Sequence, residues 1–331
     1  MKWKFHKSYC FAMGVAMAVC ILRDAPCTIG ANRHAARISF PPMLLTERLA
    51  AQAASLTASE RALADDLLRH YPDGLLDSAS AIAARTGTSA STVVRMFSKL
   101  GYGSLAEVRR EARSEVTSRL QTAAQRAPAT LGAGRSLAEC VDDALLHDQH
   151  NLAATRQGLD MSAFDAVVRQ LAQARGRVYL LAEKNSAPVA SHLATHLNMC
   201  RPGVQDLGAG APFAVDRMLW VQPQDVLLVF TIRRYSRGGL LAAQHFRAQG
   251  ATVVALTDSP VAPVVQHAHH TLVARTANAS PFDSYTAAFF LCNALVSAVA
   301  QLRHGAVQEA LERRDALWKQ FESDALDGLL T

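Results

Sequence analysis

Aromatic residues are scarce, at 6% of the chain, which argues against a surface built to stack the bases of a single strand. Glycine (18) and proline (12) stand at ordinary levels, so neither a collagen-like nor a low-complexity architecture is implied. No CxxC spacing occurs among the six cysteines: Cys10, Cys20 and Cys27 sit near the amino terminus, while Cys140, Cys200 and Cys292 are dispersed. That pattern provides neither a disulfide framework nor a zinc site, and it fits a reducing cytoplasm. The apolar run from Cys10 to Leu22 is shorter than the ~20 residues that span a bilayer.

What is present is a chain of 331 residues and 35.6 kDa, long enough for two domains of roughly 150 residues each. Half of it is apolar and 19% is charged, so it can bury a sizeable core. The net charge of +6 is uneven: residues 1–42 carry +5, residues 43–120 carry +1 and the remainder is neutral. The basic pI therefore reports mainly the first 42 residues and is no signature of nucleic-acid binding. Within 43–120, residues 43–84 sum to −3 and residues 85–119 to +4, a local asymmetry able to orient a domain on DNA.

Lys2, Lys4 and Lys7 ahead of the apolar run imitate a signal peptide, yet Arg23-Asp24-Ala25-Pro26 offers no clean cleavage site. We read residues 1–42 as a leader from a mis-assigned start; a disordered extension and a targeting segment are the other readings. From Met43 the pattern is helical. Thr57-Ala58-Ser59-Glu60 is a capping box, followed by Leu63, Leu67 and Leu68 and a break at Tyr71-Pro72-Asp73-Gly74. Ala81–Arg85 predicts a short helix of small residues, in which Ala83 and Ala84 allow close approach. Gly87 predicts a turn. Ser89 predicts the cap of a second helix, buried through Val93, Met96, Phe97 and Leu100. This is the grammar of a helix-turn-helix. Ser89, Ser91, Thr92, Arg95, Ser98 and Lys99 lie mostly off that stripe and suit major-groove reading with phosphate anchoring. Arg109, Arg110 and Arg113 add phosphate contacts. The plainer reading leaves Arg95 and Lys99 solvating an exposed face.

Leu56–Arg61, the Ile82-Ala83 helix and Thr88–Tyr102 resemble the DNA-binding domain of RpiR-type bacterial transcription regulators, whose motif runs approximately V-S-x-x-T-V-x-R-F-x-x-x-L-G-[FY]. Thr88 stands at the usual valine and Met96 at the usual phenylalanine, both tolerable core changes.

Around 125–135 the sequence turns Ala-, Pro- and Gly-rich, as a linker does. Helices are expected over Leu137–Gly158 and Ser162–Gln173. Arg177–Ala182, Asp225–Thr231 and Ala251–Thr257 then read as strands buried on both faces, as in a parallel sheet between helical layers. His270–Arg275 reads as a further strand and Phe282–Leu302 as a closing helix. Ligands in such sheets bind where strands give way to helices, which points to the loops Glu183–Pro188 and Ile232–Gly239.

Arg175–Ala300 resembles the SIS (sugar isomerase) domain that RpiR-type regulators carry, most closely over Gly250–Ser259 with Pro263, Ala268 and His269. The resemblance implies a three-layer α/β domain holding a sugar phosphate on loop serines and threonines. Both loops depart from the family pattern. Ala182 and Lys184 stand at glycine positions with Ser186 as the matching hydroxyl, and in Thr231-Ile232-Arg233-Arg234-Tyr235-Ser236 only Thr231 and Ser236 keep hydroxyls. The expected effector site is Lys184, Asn185, Ser186, Thr231, Arg233, Arg234, Tyr235 and Ser236, with the arginines as donors to an anion. The arginines filling the pocket of a ligand-free dimerisation scaffold is the alternative.

An isomerase would need a placed general base; Glu183, His192, His196 and His245 are nominal candidates, without a convincing partner. His269 and His270 alternate faces if extended, so no metal site is expected at His267–His270. Trp220 and Trp318 read as core or interface residues. The expectation is thus an all-α helix-turn-helix domain (43–124), a linker (125–135), an SIS-like α/β parallel-sheet domain (136–321) and a tail (322–331). It would be a cytoplasmic, non-enzymatic regulator without cofactor, binding an operator in double-stranded DNA and a small anionic effector as a homodimer or homotetramer, away from membranes.

Overall fold

The computed structural model describes residues 45–327, apart from 53–54, 71–72, 76, 121–122, 127–133, 135 and 210. The leader and most of the expected linker lie outside the described residues. The amino-terminal part is helical: α1 (Leu45–Gln52), α2 (Ala58–Arg69), α3 (Ala79–Thr86), α4 (Ala90–Lys99), α5 (Leu105–Leu120) and a single turn, α6 (Ala123–Arg126). The capping box forms at α2, where Thr57 Oγ1 accepts the Glu60 N–H at 3.3 Å and Glu60 Oε2 accepts the Thr57 N–H at 2.8 Å. Ser78 caps α3, which stops at Gly87 in the left-handed region (φ +65), and Ser89 caps α4 through the Thr92 N–H.

Val93, Met96, Phe97 and Leu100 are buried with Leu63, Leu67, Leu75 and Ile82 in one core. Fully burying such a side chain contributes about 1.5–3 kcal/mol. Ala83 is buried in this contact, but Ala84, expected beside it, is exposed, because the next residue of a helix turns away by roughly a quarter of the circumference. The Asp66 carboxylate is also buried, and Arg85 of α3 meets it with Nε at 3.0 Å and Nη2 at 2.9 Å, tying α3 to α2.

The carboxy-terminal part follows α7 (Leu137–Gln157) and α8 (Met161–Gln173). It is a five-stranded parallel sheet in the order β2-β1-β3-β4-β5: β1 (Val178–Ala182), β2 (Val204–Ala209), β3 (Val226–Thr231), β4 (Thr252–Thr257) and β5 (His270–Val273). Parallel neighbours need crossovers, supplied here by α9 (Ala187–Cys200), α10 (Ala211–Met218) and α11 (Arg237–Ala248). Alternation along the strands divides the core. Val178, Leu180, Leu228 and Phe230 face α8, α9 and α12 (Thr286–Leu302), while Tyr179, Leu181, Leu227 and Val229 face α10 and α11.

Three strands fall where the buried runs placed them. The edge strand β2 was not anticipated, since Gln205, Asp206 and Gly208 break its apolar pattern and it pairs on one side only. The closing helix begins at Thr286 rather than Phe282, freeing residues 282–285 as a loop. The tail expected from 322 is helical through Asp327, as the end of α13 (His304–Asp327). Polar side chains of α7 hold the segment that leads into the 282–285 loop. Asn151 exchanges hydrogen bonds with the Ala277 backbone at 2.8 and 3.1 Å, and Asp148 accepts the Thr286 hydroxyl at 2.7 Å. Among the described residues no single helix is long and apolar enough to cross a membrane.

Candidate functional site

The carboxyl ends of β1 and β3 open into a cavity of about 290 Å³. The loop after β1 brings Lys184, Asn185 and Ser186 to it, and the loop after β3 brings Arg233, Arg234 and Ser236, with Thr231 on the last residue of the strand. Seven of the eight expected effector residues therefore converge. Tyr235 does not: it packs against the opposite core layer with α11.

Both loops contain a non-glycine residue with positive φ, Lys184 at +54 and Arg234 at +22. Lys184 thus keeps, with a long cationic side chain, a backbone conformation that glycine adopts without strain; holding it costs about 1–2 kcal/mol. The helix after β3 approaches closely because Gly239 lacks a Cβ, which would lie 3.0 Å from Thr231 Cγ2.

The hydroxyls differ in what they have left to offer. Ser186 donates to the Glu183 carbonyl at 2.8 Å, and Ser236 Oγ accepts the Gly239 N–H at 2.9 Å as the cap of α11. Thr231 Oγ1 is buried and has no hydrogen-bond partner among the described residues, an arrangement that costs stability. Arg233 is half-buried, with Nε 3.7 Å from Asp283 Oδ1 and 3.9 Å from Asp258 Oδ2. Those separations are ion-pair contacts but not hydrogen bonds, so Nε keeps its donor. The two aspartates were missed as site residues. Asp258 directly follows a buried strand, a position where side chains reach such sites, whereas nothing local marks Asp283. Glu183, Phe230, Ile232, Phe282 and Tyr285 also line the cavity.

Of the candidate bases only Glu183 reaches the cavity. His192 bonds Asn293 at 2.9 Å and lies 4.4 Å, ring to ring, from His196, while His245 meets the Met218 carbonyl at 3.1 Å. His269 Nδ1 accepts the Val253 N–H at 3.0 Å, and no group of side chains among the described residues is arranged to hold a metal ion.

On α4, Ser91, Arg95 and Ser98 are exposed and Thr92 is half-buried, while Ser89 Oγ lies 2.8 Å from Ser91 Oγ and 2.9 Å from Thr92 Oγ1. Lys99 is instead bound within the fold, to the Ser55 carbonyl at 2.7 Å and to Glu60 at 3.0 Å. Glu60 is held below the usual carboxylate range by the Thr57 N–H first and by Lys99 next. Arg109 likewise donates to the carbonyls of Leu75, at 2.8 Å, and Asp77. Arg110 and Arg113 are exposed.

Residues 170–298 match the SIS domain family. An uncharacterized HTH-type transcriptional regulator of Haemophilus influenzae is 28% identical over 228 residues, covering 66% of this chain and 75% of that protein. The sugar isomerase domain of an RpiR transcription factor from Sphaerobacter thermophilus is 25% identical with a TM-score of 0.52, covering 54% of this chain and 99% of that one. The Vibrio vulnificus NanR protein complexed with ManNAc-6P is 18% identical with a TM-score of 0.47, covering 82% of this chain and 98% of that one. The chain carries an SIS domain in its carboxy-terminal half and resembles the transcriptional regulators of the RpiR type.

Proposed function

We propose that this protein is a cytoplasmic, DNA-binding transcriptional regulator whose SIS domain senses a small anionic metabolite, a sugar phosphate or a related acid. The observation that carries the reading is the pairing of an unsatisfied Thr231 hydroxyl with an Arg233 Nε that still has a hydrogen bond to give, both at the carboxyl edge of the sheet. An anionic group accepts from both, with Lys184 and Arg234 adding positive charge.

The α3–Gly87–α4 unit is the DNA-reading element in this proposal. Ser91, Thr92, Arg95 and Ser98 face the bases, Ser89 caps the helix, and Arg110 and Arg113 meet phosphates. Lys99 and Arg109, engaged internally, position these elements. Coupling has a physical route: Val261, in the connection after Asp258, packs against the core of the amino-terminal helices. A ligand that draws Arg233 off Asp258 acts on the stretch bearing Val261, and binding to one conformation more tightly shifts the population of the other. Two-fold operators call for at least a homodimer with half-sites one helical turn apart.

The test is a mobility-shift titration at low ionic strength with DNA flanking the protein's own gene, repeated with a panel of sugar phosphates. Saturable retardation, altered by at least one compound, is expected. No retardation of any fragment, together with turnover of a hexose phosphate, would overturn the proposal.

A further inference from the structure

A cavity of about 540 Å³ lies at the opposite edge of the sheet, where β1, β2 and β3 begin. Its chemistry is unlike that of the effector site. Arg175, Arg177, Arg201 and Arg303 line it, and the carboxylate there is that of Asp225. Asp225 is buried and occupied, accepting the backbone N–H of Arg177 at 2.7 Å and that of Gln222 at 2.8 Å. None of the four arginines makes an ion pair among the described residues.

Two of the guanidiniums have structural work. Arg201, 7% exposed, donates to the carbonyls of Leu171 at 2.8 Å, Ala174 at 3.1 Å and Gly176 at 2.7 Å, closing the end of α8. Arg303 donates to the Cys200 carbonyl at 3.0 Å and the Ala172 carbonyl at 2.7 Å. Each helix end carries about half a negative charge, so the ends of α8 and α9 and the Asp225 carboxylate together offset about two of the four positive charges. Burial first, and repulsion from Arg303 second, hold the Arg201 guanidinium below its ordinary pKa, whereas Tyr179 and, more weakly, Asp225 push that of Arg177 up. Arg175 and Arg177 are exposed at the rim. Beside them Trp220 is 72% exposed, so of the core and interface placements expected for it the core one does not hold. The amides of Gln222 and Gln224 complete the wall.

We propose that this cavity binds a nucleotide carrying two or more phosphates: the arginine cluster takes the phosphates and the open face of the Trp220 indole stacks the base. Residual positive charge calls for a polyanion. An exposed indole flanked by amides calls for a planar polar ring. The volume lies within the roughly 300–1,000 Å³ of small-molecule sites. Lying at the other end of the strands from Thr231, the cavity can fill independently of the effector site.

The test is titration calorimetry on the full chain with ATP, AMP and pyrophosphate as probes, alongside Trp220→Ala and the double substitution Arg175→Ala/Arg177→Ala. Neither of those arginine side chains braces a helix end, and melting curves check that the variants fold. Saturable ATP binding is expected, at least tenfold tighter than AMP, weakened at least tenfold by the arginine substitutions and unaffected by Thr231→Val. In Trp220→Ala the advantage of ATP over pyrophosphate should vanish. Absence of saturable ATP binding overturns the proposal, as do ATP binding indifferent to the arginine pair and pyrophosphate binding as tight as ATP. Loss of ATP binding in Thr231→Val would place the nucleotide in the effector cavity and overturn it too.

Discussion

Lys99, the last residue of α4, places its ammonium 3.0 Å from the Glu60 carboxylate that closes the capping box of α2. The contact turns a residue on the proposed DNA-reading helix into a brace between two helices. Arg95, one helical turn earlier, is exposed. The two positions should therefore separate. Lys99→Ala should lower the melting temperature by a few degrees, since a partly exposed pair contributes up to about 1 kcal/mol. Arg95→Ala should leave melting unchanged and weaken operator binding at least tenfold. Parallel melting curves and mobility-shift titrations read both outcomes; equal affinity for wild type and Arg95→Ala would count against α4 as the reading helix.

Arg233 lies between Asp258, which is buried, and Asp283, which is half-buried, and its removal takes a cation from beside both carboxylates. Arg233→Ala should destabilise the chain by about 1–3 kcal/mol and abolish the effector response while DNA binding persists. Adding Asp258→Asn removes one of the two neighbouring negative charges, so stability should recover in part but the response should not. Replacing Arg233 and Arg234 together should also leave a DNA-binding, unresponsive protein. A response retained in that double variant would exclude both arginines from the site.

What could be read from residue order depended on periodicity. The stripe Val93, Met96, Phe97 and Leu100 repeats at the helical period, and β1, β3 and β4 are continuous apolar runs because both of their faces are covered. β2 has a polar edge-strand pattern without either signal. The loops that bear Lys184 and Arg233 were legible because strand ends in parallel sheets collect ligands. The side chains that define the site electrically were not, since Asp258 and Asp283 come from different connections and meet Arg233 only in three dimensions. Lys99 and Arg109 resemble solvent-facing cations in a linear chain, and only the carbonyls of Ser55 and Leu75 show that they are bound to neighbouring elements of the fold. Val261 likewise gives no sequence sign that it touches the amino-terminal core.

The three carboxy-terminal cysteines should differ in reactivity. Cys140 is exposed, whereas Cys292 is buried and its thiol is pushed up to about 12 by desolvation. At pH 8, among Cys140, Cys200 and Cys292, a thiol reagent should rapidly label Cys140, a site that Cys140→Ser lacks, while Cys292→Ala should lose no fast label. The pH dependence has a definite sign. Below about 9, the ordinary value, Cys292 is protonated in both states and contributes no slope. Between about 9 and 12 the unfolded chain loses the proton first. Stability should thus fall with rising pH by up to about 1.4 kcal/mol per unit more steeply than in Cys292→Ala. Denaturant titrations of both proteins across that range check the difference.

At Lys184 the backbone and the side chain pull in opposite directions. At φ +54 a lysine is strained and a glycine is not. Lys184→Gly should relieve that strain and raise stability by up to about 1 kcal/mol, with some of the gain lost to the greater freedom of glycine in the unfolded chain. The same change removes a cation from the cavity of Thr231 and Arg233, so affinity for the anionic effector should fall severalfold. Stability and ligand affinity moving oppositely is the signature of strain retained for binding. A higher melting temperature with undiminished effector affinity would make Lys184 a surface residue in an awkward conformation, and the anion would then be held by the β3 loop alone.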